Sequence, residues 1–430
     1  MPKKLYFIES IYTNDRTGNQ TIDVVWIPAE GEEVNNPEFT TFPQHQFFIA
    51  ETGDIQEGQY VYYNDEPGTD ESYFSDGTYS LYAQREIGLS IYLRAELLKR
   101  AARSGNELIE IDKQLAFDDA EVYSYHVNVG HGNCSLILIK KEDSFRLWMV
   151  DCSLMETPNK VVSFTNHESS FEKALDDIAM KVGKDDRKGL FIDHFFLTHM
   201  HYDHYNGLKY LINQQHVTSR TIFYLNLHYQ MPSKNLNEIL QMLVDKNLCR
   251  IVEPVSSNSS SSILILHPEC RIYKNATTML EYLPNHRFSA NPNNSSAVFV
   301  LKMAGKIMAF PGDLEIEGFN AMTKSNTCNS GWSQIDYVAA SHHGSFNGLP
   351  LNQCQGHPKR RNPLRCFRRR LKIAIIMARD GAYNGIISRR VIYAYDIVST
   401  IGVWQADPSA YDFSFDYLQL DWRSEKVQNG

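Results

Sequence analysis

The sequence predicts a mixed α/β protein, with two β-sheets sandwiched between helices and a separate β-rich module in front of them. Three observations predict this. Residues 1 to about 118 carry short β-rich runs broken by turn clusters. From about 119 to 430 the order is β-runs, then helices, then β-runs again, which suits two sheets packed between helical layers. Within that order a buried strand ends in a loop dense in histidine and aspartate, which is where α/β proteins place their sites.

In the first module the runs are Leu5–Ile8, Val24–Ile27, Gln46–Ile49 and Tyr60–Tyr63. Clusters such as Asn14-Asp15-Arg16-Thr17-Gly18-Asn19 and Glu66-Pro67-Gly68-Thr69-Asp70 separate them. A helix follows over Ile91–Ala102, with Leu93, Leu97 and Leu98 on one face and Gly105 near its end. The module is acidic and rich in tyrosine, without a repeat or a catalytic cluster, so a structural or protein-partner-binding role is expected of it.

In the second part Val122–Val127 and Ser135–Ile139 read as strands around the turn Val129-Gly130-His131-Gly132-Asn133. Leu147–Val150 is a third strand, ending at Asp151. Residues 169 to 182 read as a helix, Phe191–Leu197 as a buried strand, and Gly207–Asn213 as the start of another helix. Ser256–Ser262 is a serine-rich loop, and Ala297–Lys302 with Lys306–Phe310 form a strand pair around Gly305.

Composition sets outer limits. With 430 residues, 43% of them hydrophobic, the chain can bury an ample core in two domains or one large one. A net charge of −9 argues against a generally basic protein that coats nucleic acid, but not against a local basic groove. The seven cysteines are scattered, odd in number and free of CxxC spacing, so no disulfide framework and a reducing cytoplasm are expected. Met1–Glu9 lacks the apolar run of a signal peptide, and no stretch approaches the roughly 20 apolar residues of a membrane span. A cytoplasmic protein without a membrane partner is expected.

The loop after the buried strand is Thr198-His199-Met200-His201-Tyr202-Asp203-His204. Imidazole nitrogens and a carboxylate suit Zn²⁺ or a similar borderline metal. His199 and His201 project to one side of an extended segment and can share an ion. Asp203 and His204, one turn further on, can reach a second.

His-Met-His-Tyr-Asp-His resembles the HxHxDH signature of metallo-β-lactamase-fold hydrolases. The resemblance implies an αββα sandwich and two divalent metal ions, Zn first and Mn as the alternative. It also gives roles to three further segments. Asp151, at the end of its strand, stands where that family carries a carboxylate supporting the histidine loop, holding a ligand imidazole through its other ring nitrogen. Asp313, in Phe310-Pro311-Gly312-Asp313, stands where a carboxylate bridges both ions. Ser341-His342-His343-Gly344-Ser345 resembles the last histidine element, in which one of His342 and His343 ligates the second ion. For the third ligand of the first ion His286 is preferred, with His228 and Asn294 as rivals.

A finer resemblance, over about residues 122 to 420, is to the ComEC-like branch of competence proteins. It rests on the turn His126–Asn133, similar to DVGQGD, on Asn293-Asn294-Ser295-Ser296, similar to NNxS, and on SHHGS at 341 to 345. There are departures. Asn128 and Asn133 replace aspartates. Gly381-Ala382-Tyr383-Asn384-Gly385 resembles a substrate-side stretch carrying Asn384, but Ile386 and Ile387 stand where a histidine is expected.

A basic run, Lys359, Arg360, Arg361, Arg365, Arg368, Arg369, Arg370 and Lys372, contains no acidic residue. Arg368, Arg369 and Arg370 are its candidate substrate contacts, and a phosphate backbone is what such a run tracks. Paired ions lower the pKa of a shared water from about 15.7 towards about 7. Asp203, at the edge of such a pair, is the candidate proton acceptor. The expected function is a phosphodiesterase, first of all a nuclease with nucleic acid as partner. The alternatives are a hydrolase of small esters or phosphoesters, and a regulatory scaffold that retains a metal site.

Overall fold

The computed structural model describes residues 4–13, 20–28, 45–50, 55–63, 74–77, 81–101, 119–155, 166–226, 231–252, 273–274, 279–283, 292–315, 318–319, 335–348, 371–379, 387–407 and 415–430. Its first sheet is antiparallel, in the order β3-β2-β1-β4-β5. These strands are β1 (Lys4–Thr13), β2 (Gln20–Ile27), β3 (His45–Ala50), β4 (Tyr60–Tyr63) and β5 (Phe74–Asp76). Helix α1 follows over Leu81–Ala101 and so begins ten residues before the Ile91 expected from sequence. Its buried stripe includes Glu86 and Ser90 beside Tyr82, Leu93 and Leu97, and these polar members hide the helical period from an apolar count.

The second sheet is built from β6 (Glu121–Val127), β7 (Cys134–Lys141), β8 (Ser144–Cys152), β9 (His194–Leu197), β10 (Ile222–Leu225), β11 (Ile251–Val252), β19 (Tyr417–Asp421) and β20 (Lys426–Asn429). Its order is β11-β10-β9-β8-β7-β6-β19-β20, parallel from β8 to β11 and antiparallel elsewhere. The third sheet runs β12 (Tyr273–Lys274), β13 (Met279–Leu283), β14 (Val298–Met303), β15 (Lys306–Phe310), β16 (Tyr337–Ala339), β17 (Ile373–Arg379) and β18 (Gly402–Asp407), and is parallel from β15 onward. Five helices complete the described elements used below: α2 (Glu168–Lys181), α3 (Tyr202–Tyr205), α4 (Leu208–Asn213), α5 (Lys234–Asp245) and α6 (Arg389–Val398).

Strand alternation decides the layers. Ile137, Trp148, Val150, Phe196 and Tyr224 of the second sheet share one core with Phe299, Leu301, Phe310, Tyr337 and Ile375 of the third. The rings of Phe196 and Phe299 stack across the two sheets with centroids 4.1 Å apart. The opposite face of the second sheet (Leu136, Leu138, Leu147, Met149, Phe195) packs on Phe171 and Leu175 of α2, Leu211 of α4 and Leu240 of α5. The opposite face of the third sheet (Val298, Val300, Ala309, Val338) packs on Val391 and Tyr395 of α6. The result is an αββα sandwich, two sheets face to face between helical layers.

The N-terminal sheet is joined to this body. Leu5, Phe7 and Val24 belong to the same apolar core as α2, α4 and α5. Asn237 on α5 donates to both the carbonyl and the carboxylate of Glu86 at 2.9 Å, and Arg100 donates to the Val244 carbonyl at 2.8 Å. Among the described residues, no helix is long and apolar enough to cross a membrane. Cys134, Cys152 and Cys249 are free and buried.

Candidate metal centre

The site gathers at the C-terminal ends of parallel strands from both sheets, where β8, β9, β15 and β16 pass into loops. At the end of β8, Asp151 is buried with a left-handed φ of 53°. Its Oδ1 accepts from the Thr198 amide at 2.7 Å, and its Oδ2 accepts from the Thr198 hydroxyl at 2.7 Å and from His204 Nδ1 at 2.8 Å. The carboxylate therefore pins the loop leaving β9 and turns His204 Nε2 inward, 3.3 Å from Asp313 Oδ1 and 3.7 Å from Asp203 Oδ1.

His199 and His201 flank Met200, and His201 lies in extended backbone just before α3. Their ring centroids are 4.4 Å apart, and His199 Nε2 lies 3.9 Å from Asp313 Oδ2. Gly312 has φ 59°, and a Cβ there would stand 2.7 Å from the Thr198 side chain, so only glycine lets Asp313 approach the histidine loop this closely. After β16, His342 and His343 both adopt positive φ, 49° and 52°, a strained pair of the kind that persists where surrounding contacts enforce it. His343 Nε2 points inward, 3.0 Å from Asp203 Oδ2 and 3.1 Å from Asp313 Oδ2. His342 turns instead towards Glu315, with Nδ1 3.4 Å from Oε1. His343 thus joins the cluster of buried donors, and His342 stands beside it with Nε2 4.0 Å from Asp313 Oδ2.

Two sets of donors result, each with its atoms within 4.8 Å of one another: His199, His201 and Asp313, and Asp203, His204, Asp313 and His343. Asp313 is common to both. The residues fit a pair of ions on one further ground. Nε2 of His199, His201, His204 and His343, Asp203 Oδ2 and both oxygens of Asp313 are buried without an aligned hydrogen bond. Buried polar atoms are rarely left so, and convergent ones are what a cation satisfies.

The charges agree. Burial and the neighbouring His204 and His201 push His199 well below the usual histidine range, and burial likewise lowers His201, leaving neutral imidazoles suited to ligation. Burial opposes protonation of His343, but Asp313 and Asp203 override it and raise the pKa to about 9. Burial also opposes ionisation of Asp203 and Asp313, yet the histidines hold both well below the carboxylate range. Each anion here is thus set for a cation.

Other candidates fall elsewhere. His286, His228, Asn384, Arg368, Arg369 and Arg370 lie outside the described residues. Asn294 is engaged by its own loop: Oδ1 accepts from the amides of Glu315 and Gly318 at 3.1 and 2.8 Å, and Nδ2 donates to Glu315 at 3.2 Å. Lys372, at the end of the basic run, is paired with Glu425.

Sequence reasoning passed over two groups. His131, in the turn between β6 and β7, has Nε2 3.3 Å from Asp203 Oδ2 and its ring 4.4 Å from that of His343. Burial and then His343 lower its pKa to about 4, so it is neutral. Its place in a Gly-His-Gly turn was the available signal. Glu9 and Glu57 of the N-terminal module are the other group. Glu9 accepts from the Tyr202 amide, between His201 and Asp203, at 3.1 Å. Glu57 accepts from Asn293 Nδ2 at 3.0 Å. A carboxylate in an alternating strand reads as solvent-facing, so sequence carried no signal for these.

No family model and no curated protein matches the chain. Among solved structures it is similar to a mutant of the CmlA beta-hydroxylase at 12% identity and a TM-score of 0.32, over 97% of this chain and 75% of that one. It is also similar to a protein of unknown function from Enterococcus faecalis at 11% identity and a TM-score of 0.27, over 51% and 49% of the two chains.

Proposed function

We propose that the chain is an enzyme, a hydrolase that uses two divalent ions, Zn or Mn, to cleave phosphodiesters. The observation that carries this reading is the sharing of Asp313 between two sets of buried donors. His199, His201 and Asp313 would hold one ion, and Asp203, His204, His343 and Asp313 the other. Bound ions would supply Lewis acidity and an acidified water. The chain's own residues do the rest. Asp151 fixes the tautomer and direction of His204, because its Oδ2 accepts the hydrogen bond that Nδ1–H donates. Asp203 offers a carboxylate oxygen to a departing proton, and His131, neutral and 3.3 Å away, is placed to steady it. The buried walls exclude bulk water and so strengthen every charge interaction in the centre.

The experiment is ion analysis followed by a substrate screen. Full-length protein prepared without chelator and supplied with Zn²⁺ or Mn²⁺ should carry about two ions per chain. It should then cleave at least one of single-stranded DNA, duplex DNA, RNA and bis-(p-nitrophenyl) phosphate. Protein without bound ions after supplementation would rule the hydrolase reading out.

Two substrate classes compete. The basic run from Lys359 to Lys372 supports a nuclease. The burial of every donor, with Glu9 of the N-terminal sheet bonded to the Tyr202 amide between two of them, favours a small diester. Replacing Arg368, Arg369 and Arg370 by alanine separates them. If the run tracks a polynucleotide, affinity falls for all sequences alike, and the salt dependence becomes shallower by roughly one unit of slope per lost phosphate contact. Cleavage of bis-(p-nitrophenyl) phosphate should then be nearly unchanged. Unaltered polynucleotide binding would leave the small diester as the reading.

A further inference from the structure

The first amide of α3 is bonded by a carboxylate 193 residues away in the chain. Helix α3 opens at Tyr202, directly after the extended His201 (φ −78°, ψ 150°). The first amides of a helix have no acceptor inside it, and a side chain just before the helix ordinarily supplies one. Here that residue is His201, whose side chain bonds no amide of the helix and whose imidazole stands in the donor set with His199 and Asp313. Glu9 of β1 acts in its stead. Its Oε1 accepts from the Tyr202 amide at 3.1 Å, and both residues are buried.

Glu9 is itself held in place. The pairing of β1 with β2 breaks register between Ile8 and Ser10, so Glu9 is the extra residue of a bulge. Bulges bend a strand and re-aim a side chain. The backbone on either side is tied down. The Ile8 amide donates to the Gln59 carbonyl, and the Ile8 carbonyl accepts from the Gly58 amide, both at 2.9 Å. The Ile11 amide donates to Glu57 Oε1 at 3.0 Å, and the same oxygen accepts from Asn293, in the loop before β14, at 3.0 Å. The Ile11 carbonyl accepts from Asn347, just beyond the His342-His343 turn, at 3.1 Å. Strand β1 is thus fastened to two other loops of the centre, and Glu9 reaches the histidine loop from a braced backbone.

Tyr202 separates the two donor sets. His201 on one side of it belongs with His199 and Asp313, and Asp203 on the other belongs with His204, Asp313 and His343. The backbone passes from extended to helical here, and that change turns neighbouring ligand side chains towards different sets. We infer that Glu9 is a positioning residue of the metal centre: by holding the Tyr202 amide it fixes the turn that divides His201 from Asp203 between the two ions. This rests on the two-ion reading above. Without the carboxylate a buried amide loses that acceptor, which is costly. Rotating the peptide between His201 and Tyr202 to find another acceptor moves both neighbours, so both ions are held more weakly. The N-terminal sheet thereby belongs to the centre.

The test loads the full chain with Co²⁺, whose visible absorption reports the ligands of the ions, and measures affinity by competition with a chelator. Glu9→Ala should weaken both ions about 10- to 100-fold, the scale on which groups that orient ligands act, and should alter the spectrum at saturation. Glu9→Gln keeps a carbonyl oxygen at the same reach and should restore most of the affinity and the spectrum. Glu9→Asp keeps the charge but withdraws it by one methylene, and should behave like Glu9→Ala. These two variants carry the test if Glu9→Ala does not fold. Asn237→Ala removes the bonds from α5 to Glu86 and so loosens the N-terminal module away from the histidine loop. It should lower the urea midpoint and leave affinity and spectrum unchanged. Unchanged affinity and spectrum in folded Glu9→Ala, a loss confined to one ion, equal losses in Glu9→Gln and Glu9→Asp, or a matching loss in Asn237→Ala would overturn the inference and leave the two-ion reading intact. An unaltered chain that takes up no Co²⁺ fails that reading, and the inference with it.

Discussion

Asp313→Ala should eliminate turnover, by at least about a thousandfold or some 4 kcal/mol of transition-state stabilisation, and should lower ion content below that of the unaltered protein. Both oxygens of Asp313 are buried without an aligned hydrogen bond, and the residue is the shared member of both donor sets. Alanine there removes the anion that faces His204 at 3.3 Å and His343 at 3.1 Å. The sandwich should survive, because the core between the sheets is built from Phe196, Phe299, Tyr337 and their neighbours rather than from this loop. Circular dichroism, elemental analysis and kinetics on one preparation distinguish the outcomes. Retained turnover in a folded variant would show that Asp313 is not the bridge.

Asp151→Ala should cost about 3–5 kcal/mol of stability and weaken ion binding about 10- to 100-fold. The Asp151 carboxylate accepts two bonds from Thr198 and one from His204, all between 2.7 and 2.8 Å and all buried. Its loss leaves the Thr198 amide without that acceptor and frees His204 to rotate away from Asp313. Urea unfolding of ion-free protein measures the first effect, and competition with a chelator measures the second. A change of less than about 0.5 kcal/mol in unfolding, within the range of ordinary surface substitutions, would mean that the loop is held by its backbone alone.

Much of this was legible in the chain. The continuous apolar runs within Ser135–Ile139 and Leu147–Val150, each buried on both faces, gave strands that overlap those observed. The ligand-type residues His199, His201, Asp203 and His204 were legible because local spacing alone brings them together. The early start of α1 was not, because Glu86 and Ser90 are buried by partners distant in sequence; Asn237 bonds Glu86 from 151 residues away.

What the sequence determined by itself, then, was the layer order, the histidine loop and the short-range donor pattern, since these depend on side-chain period and on neighbours a few residues apart. The tertiary structure alone decided the rest. That His343, and not its neighbour His342, stands among Asp203, His204 and Asp313 follows from how the turn after β16 is folded, with both residues at positive φ. His131 reaches Asp203 only because the β6–β7 turn folds across the end of β9. Glu9 and Glu57 meet the loops of the centre only because a whole sheet docks on them, and no local pattern encodes a contact between residues some 190 positions apart, such as Glu9 with Tyr202.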